Sequence, residues 1–180
     1  KEIKKLGYKC NELSKYTEFE EMLEGRVKTL HPKIHAGILS DRSNKKHQDE
    51  MVKNRFKNID LIIVNFYPFQ KIILKTKNSK NIIENIDIGG PTMVRAAAKN
   101  FKDVLIITGK KDYDALVGEL RQHKGKTSLQ FREYMASKAF SLTAYYDSMI
   151  AAWFNKKLNI TFPDRKTIFG KKLTQLRYGE

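Results

Sequence analysis

Asp87 and Lys99 frame the stretch of this chain best equipped for chemistry, Asn-Ile-Asp-Ile-Gly-Gly-Pro-Thr-Met-Val-Arg-Ala-Ala-Ala-Lys-Asn from Asn85 to Asn100. Asp87 sits on the turn before a helix and Lys99 on its last turn, a carboxylate and an amine that can each take up or release a proton. Gly89-Gly90 can turn sharply and approach a ligand closely. Pro91 suits the first turn of a helix, the Ala96-Ala97-Ala98 run favours helix over Thr92 to Lys99, and Asn100 reads as a left-handed stop. The free N–H groups at the start of such a helix can hold an anion. Taken alone, the same residues read more simply as a tight turn, a solvated carboxylate and an ordinary helix-ending lysine.

Two further clusters invite the same question. Arg26-Val27-Lys28-Thr29-Leu30-His31-Pro32-Lys33-Ile34-His35 carries several cations and no clear period, and it reads as a loop broken by Pro32. Gathering Arg26, Lys28, His31 and Lys33 is electrostatically costly unless an anion offsets them. His31 and His35 suggest a metal pair, but no acid or thiol stands at ligand spacing and Pro32 disfavours the helix an i,i+4 pair needs, so no metal is expected. Asn65-Phe66-Tyr67-Pro68-Phe69 follows an apolar run, where ligands gather beyond the carboxyl ends of parallel strands. Asn65 and Tyr67 are therefore either substrate contacts or a surface turn.

The elements that must hold these groups alternate along the chain. Lys1 to Leu6 reads as the end of a helix stopped by Gly7, and Tyr8 to Leu13 as a short strand. Thr17-Glu18-Phe19-Glu20 fits a capping box opening a helix through Leu23, closed by Gly25. Ser43 to Phe56 has the composition of an exposed helix. Ile59 to Asn65 has the near-continuous apolar character of a strand covered on both faces. Lys71 to Lys80 looks like loop, with a short helix from about Ser79 to Asn85. Val104 to Ile107 is a second buried strand, and Asp112 to Arg121 a helix. Ser128 to Asn155 is one long helix or a broken pair. Beyond Lys156 the chain is basic and reads as a linker, so the expected division is residues 1–155 as the domain and 156–180 as the connection. Strand–helix alternation predicts an α/β domain with a mainly parallel sheet.

Composition narrows the rest. One cysteine, Cys10, cannot form an internal disulfide, and no segment has the character of a signal peptide or membrane span, so a cytoplasmic protein is expected. The net charge of +15 raises nucleic-acid binding, but the lysines are spread along the chain instead of forming one basic face, and no specific nucleic-acid partner is expected. A phosphorylated small molecule is served by the same positive surface.

Gly25-Arg26-Val27-Lys28-Thr29-Leu30-His31-Pro32, Asn65-Phe66-Tyr67-Pro68-Phe69 and Ile86-Asp87-Ile88-Gly89-Gly90 through Arg95-Ala96-Ala97-Ala98-Lys99-Asn100 together resemble the inosine monophosphate (IMP) cyclohydrolase domain. That domain is the N-terminal half of a bifunctional purine biosynthesis family, fused there to an AICAR transformylase. The resemblance runs from about Gly7 to Phe154. It implies a methylglyoxal-synthase-like three-layer α/β/α fold, a homodimer, no cofactor or metal, and closure of the ribonucleotide FAICAR to IMP. It further implies Lys99 as proton donor and acceptor with Asp87 as its partner, and Lys28 and Tyr67 as stabilisers of developing oxyanion charge. Arg26, Val27, Lys28, Thr29, Val64, Asn65, Asp87, Ile88 and Gly89 match the family's nucleotide-binding positions. The family's first strand and its phosphate-binding turns would precede Lys1, and Ser40-Asp41-Arg42 lies in the wrong place to replace them. Leu176-Arg177-Tyr178-Gly179-Glu180 resembles the opening of the transformylase half.

Overall fold

The computed structural model describes residues 2–176. The chain forms two compact units, one from the residues up to Phe66 with Asp87–Phe140, the other from Tyr67–Ile86 with the residues from Ser141 onward. In the first unit, β1 (Leu61–Ile63) and β2 (Leu105–Ile107) pair in parallel, Leu61 opposite Leu105 and Ile63 opposite Ile107. Side chains alternate across a strand, so β2 feeds two different layers. Val104 and Ile106 join Ile34 and Ile38 of α3 (Pro32–Leu39) and Val94 and Ala97 of α7 (Gly89–Lys99). Leu105 and Ile107 face the other way, onto Leu116 of α8 (Tyr113–Gln122) and Met135 of α9 (Leu129–Lys157). Helices therefore lie on both faces of the sheet, as the α/β/α expectation requires.

The expected strand over Ile59 to Asn65 forms a ladder only at Leu61–Ile63, and it is not covered on both faces. Leu61 and Ile63 remain 36% and 47% exposed because the α8 layer seals β2 and stops short of β1. Val64 adds one bond, its N–H donating to Ile107 O at 3.0 Å. At the opposite, amino end of the sheet, Arg42 donates to Asp60 (2.8 Å) and to Ile59 O (3.2 Å), while its N–H donates to Asp103 (3.0 Å). Residues 40–42 thus brace the amino edge and hold no phosphate-type turn.

Several expectations at the start of the chain give way. Gly7 does end a helix, α1 (Glu2–Lys5), at φ +81°. Tyr8 to Leu13 forms no strand, and Leu13–Thr17 is a short helix, α2. Thr17 opens nothing, because its hydroxyl donates backward to Leu13 O (3.0 Å) and Glu18 turns left-handed. The segment Arg26 to His35 is loop only as far as His31. Pro32 sits at the first helical position, where its missing N–H is not needed, and the His31 ring accepts the Lys33 N–H as the cap. Later, α4 (Lys45–Lys53) forms as expected, capped by Asn44.

The second unit holds α5 (Phe69–Lys75), where a loop was expected, and α6 (Ser79–Glu84), capped by Asn78. Phe69 is 1% exposed, edge-on to Tyr146 and Trp153 of the later part of α9. The lysines at 71 and 75 masked this helix in the sequence, since its core contact is carried by one aromatic. The long helix is unbroken, with the Ser128 hydroxyl capping it by accepting the Phe131 N–H (3.2 Å). After Lys157 the described residues form no further helix or strand, yet they pack within their unit. Phe169 meets Tyr145 edge-on, and Lys171 donates to Gln70 at 3.3 Å. Of the stretch expected to resemble a transformylase opening, residues 177–180 lie outside the described residues.

Candidate active site

The site is assembled at the carboxyl edge of the first unit, around the start of α7. Gly89 and Gly90 are themselves the first residues of that helix, so the expected Gly-Gly turn is instead a helical first turn. Neither needs a left-handed backbone. They are needed for close approach: a Cβ on Gly89 would clash with Thr29 Oγ1, and one on Gly90 would lie 2.5 Å from Asp87 Oδ2. Asp87 Oδ1 accepts the Gly90 N–H at 2.8 Å. The helix N-terminus expected to bind an external anion thus already receives its own carboxylate, which also suits the helix dipole.

Thr29 reaches this turn from a loop with a strained approach. Leu23, Glu24 and Gly25 run successively left-handed, at φ 51°, 55° and 87°. Only the last is a glycine, and each non-glycine in that region costs about 1 kcal/mol or more. The run swings Arg26–Thr29 around, and the Lys28 N–H bonds Gly25 O at 3.2 Å. Val27 and Lys28 also line a cavity of about 320 Å³ with Phe19, Glu21, His31 and Pro32.

The cations of this segment are offset by acids of the chain. Lys28 pairs with Glu21 and Lys33 with Glu18, both at 2.9 Å, and Lys33 holds the Glu18 carboxyl below its ordinary range, first through the hydrogen bond and then through charge. Both Lys28 and Glu21 are about half exposed, where such a pair contributes at most about 1 kcal/mol and yields readily to a ligand. The His31 ring is spent on capping, and His35 Nε2 is enclosed with no hydrogen bond among the described residues.

Asn65 follows Val64 directly beyond the carboxyl end of β1 and is exposed. The structure thus sets Thr29 against Gly89 beside the Asp87 cap, while Val64-Asn65 continues from the carboxyl end of β1. Tyr67, 57% exposed, is the first residue of the second unit.

Lys99 is elsewhere. It is the last residue of the 11-residue α7, about 13 Å along the axis from Gly90 and about half a turn around it at 3.6 residues per turn. Within one chain it is not beside Asp87. It lines a separate cavity of about 620 Å³ with Leu39, Arg95, Phe101, Glu133 and Phe140. Asn100 is not left-handed (φ −97°), and its amide donates to Ile38 O (2.8 Å) and Ser40 O (3.1 Å), tying the end of α7 to that of α3.

One pair at the carboxyl edge escaped the sequence reading. Asp112, just beyond β2 and 8% exposed, accepts a hydrogen bond from Lys138 of α9. Asp112 was legible only as an acid near a helix start, and nothing in the spacing marks Lys138 as its partner.

Comparison with known proteins places these features in context. The MGS-like domain model matches residues 1–92, and the model described as AICARFT/IMPCHase bienzyme matches residues 97–180. The chain is 48% identical over 180 residues to the bifunctional purine biosynthesis protein PurH of Bradyrhizobium diazoefficiens, covering all of this chain and 34% of that protein. It is 45% identical over 180 residues to PurH of Persephonella marina, covering 99% of this chain and 35% of that protein. The chain thus spans about a third of the length of the curated relatives it matches. Among solved structures, "Crystal structure of ForH" superposes with a TM-score of 0.72 at 30% identity, covering 84% of this chain and 80% of that one.

Proposed function

The chain belongs to the MGS-like domain family and is similar throughout to bifunctional purine biosynthesis proteins, and on that premise we propose that it is an IMP cyclohydrolase, closing FAICAR to IMP. The observation that carries this reading is the close approach of Thr29 to Gly89 beside the Asp87 cap, which joins two of the segments that match nucleotide-binding positions of the cyclohydrolase. In the reaction the carboxamide nitrogen attacks the formyl carbon, forming a C–N bond. The carboxamide nitrogen loses one proton and the formylamino nitrogen another as the ring C=N forms; both reach the former formyl oxygen, whose C–O bond breaks to release water. The amide is a poor nucleophile, so the step needs a base for nitrogen and a donor for oxygen.

Each residue has a part suited to its chemistry. Asn65 offers an amide donor and acceptor to the carboxamide edge. Lys28, on releasing Glu21, and Tyr67 are donors for the developing oxyanion. In the proposed homodimer, Asp87 of one copy and Lys99 of the other exchange the protons, with lysine's charge state tunable by its surroundings. Holding the formyl and carboxamide groups in contact supplies a large part of the rate. We further propose a homodimer in the cytoplasm and a basic tail from about Lys156 that leads toward a transformylase; among the described residues no helix is long and apolar enough to cross a membrane.

The reading predicts saturable binding of IMP by calorimetry, one nucleotide per chain. Gly89→Val should weaken it about tenfold, because a side chain there drives Thr29 out of the edge while leaving the fold intact. Failure of the unsubstituted chain to bind IMP would count against the proposal.

A further inference from the structure

The acids before Gly25 and the cations after it pair across one turn. Glu18 takes Lys33 and Glu21 takes Lys28, so two ion pairs are nested about Leu23–Gly25. The outer pair is anchored, because the Lys33 side chain is only 14% exposed and its ammonium also lies 5.3 Å from the centre of the Tyr16 ring. The inner pair is open to solvent, and the Lys28 ammonium makes no second hydrogen bond or ion pair among the described residues. The turn does not depend on that inner pair. Its backbone is closed by Gly25 N–H to Met22 O (3.0 Å), Arg26 N–H to Leu23 O (3.1 Å) and the Lys28 bond already described. Glu21 reaches Lys28 by passing over Gly25, where a Cβ would lie 2.7 Å from Glu21 Oε1. The left-handed run at Leu23, Glu24 and Gly25 thus sets a carboxylate against a lysine that the proposed reaction needs. Strain of this kind gathers where a site requires an arrangement the chain would not otherwise adopt.

We infer that Glu21 is a built-in competitor for Lys28: it occupies the ammonium in the empty site and must be displaced before Lys28 meets the nucleotide. The inference rests on the proposed role of Lys28. Glu21 acts through that lysine and touches no reacting atom, so it is a positioning residue. A nucleotide brings a phosphate of about −1.5 to −2 charges at neutral pH into the site, against the single charge of a carboxylate, and so can win the exchange. The displaced carboxylate is left in solvent, where it needs no new partner. The backbone bonds keep the turn in shape while the two side chains part. The consequence is a lowered affinity for substrate and product by the same factor, which speeds product release.

Glu21→Gln keeps the shape of the side chain and removes its charge. IMP should bind this variant about threefold to fivefold more tightly by calorimetry, the most that an exposed ion pair withholds. KM for FAICAR should fall by the same factor with kcat unchanged, because the pair is already open in the complex. Raising the salt concentration should shrink the difference between variant and native chain, since salt screens an exposed pair. In a Lys28→Met chain the same substitution should change nothing. Unchanged or weaker IMP binding by Glu21→Gln overturns the inference. A fall in kcat does so as well, because Glu21 would then hold Lys28 in place through the reaction. If Lys28→Met alone binds IMP and turns over FAICAR as the native chain does, the role of Lys28 fails and takes the inference with it. That failure differs from a native chain that does not bind IMP, which refutes the functional reading itself.

Discussion

Lys99→Ala is expected to lower FAICAR ring closure by about 10²–10⁴-fold, the range a positioned acid or base supplies, with the melting temperature nearly unchanged. The structural side is clear because Lys99 is exposed at the end of α7 and makes no hydrogen bond or ion pair among the described residues. Its loss removes a cation from a helix C-terminus, worth about 0.3–1 kcal/mol. The catalytic side follows from the chemistry: without an amine to pass protons between the carboxamide nitrogen and the departing oxygen, the intermediate reverts. IMP affinity should fall far less than turnover, since the binding segments lie at the other end of the helix. Steady-state kinetics beside calorimetry on the same variant would show the split, and equal losses in both would make Lys99 a binding residue instead.

The second large effect falls on stability. Gly37 lies in α3, buried, where a Cβ would stand 2.6 Å from Lys57 O and 3.1 Å from Ile59 Cγ1. Its own carbonyl accepts the Ile59 N–H at 2.9 Å, so α3 and the lead into β1 are pressed together at this point. Gly37→Val must force them apart against backbone rather than a yielding side chain, and it loses that bond as well. Overpacking of this kind costs about 1–3 kcal/mol or more, and the broken buried bond about 1–3 kcal/mol further. Urea unfolding should show a loss of about 3 kcal/mol or greater; an unchanged midpoint would mean the contact is not as close as described.

The parts of the fold that could be read from sequence are those with strong local signals. The run Val104 to Ile107 is wholly apolar and forms the buried strand β2 at Leu105–Ile107, and Ser128 to Asn155 keeps the helical spacing of the long α9. Gly7 acts locally, as a stop, where the sequence placed it, and the short helix starts at Ser79 as expected. What failed depended on partners remote in the chain. Pro32 looked like a breaker because its role as the first residue of α3 depends on His31 capping from the preceding loop. Phe69 gave no periodic pattern because its burial comes from Tyr146 and Trp153.

The candidate site divides the same way. Arg26–Thr29, Asn65 and Asp87–Gly89 could be identified as types, and the fold brings Thr29 against Gly89 beside Asp87. That Gly89 and Gly90 serve close packing, with Asp87 as a cap, required knowing where Thr29 lies. The separation of Asp87 from Lys99 follows from the helix being continuous from Gly89, whereas a turn at Gly89-Gly90 would have left their distance open.

The most direct test of the central claim is the conversion of FAICAR to IMP by the unsubstituted chain, followed by absorbance, with Asp87→Asn alongside. Saturable turnover that the substitution abolishes is the expected result. Conversion no faster than in buffer, from a folded chain that binds IMP, would contradict the assignment of ring closure to this protein.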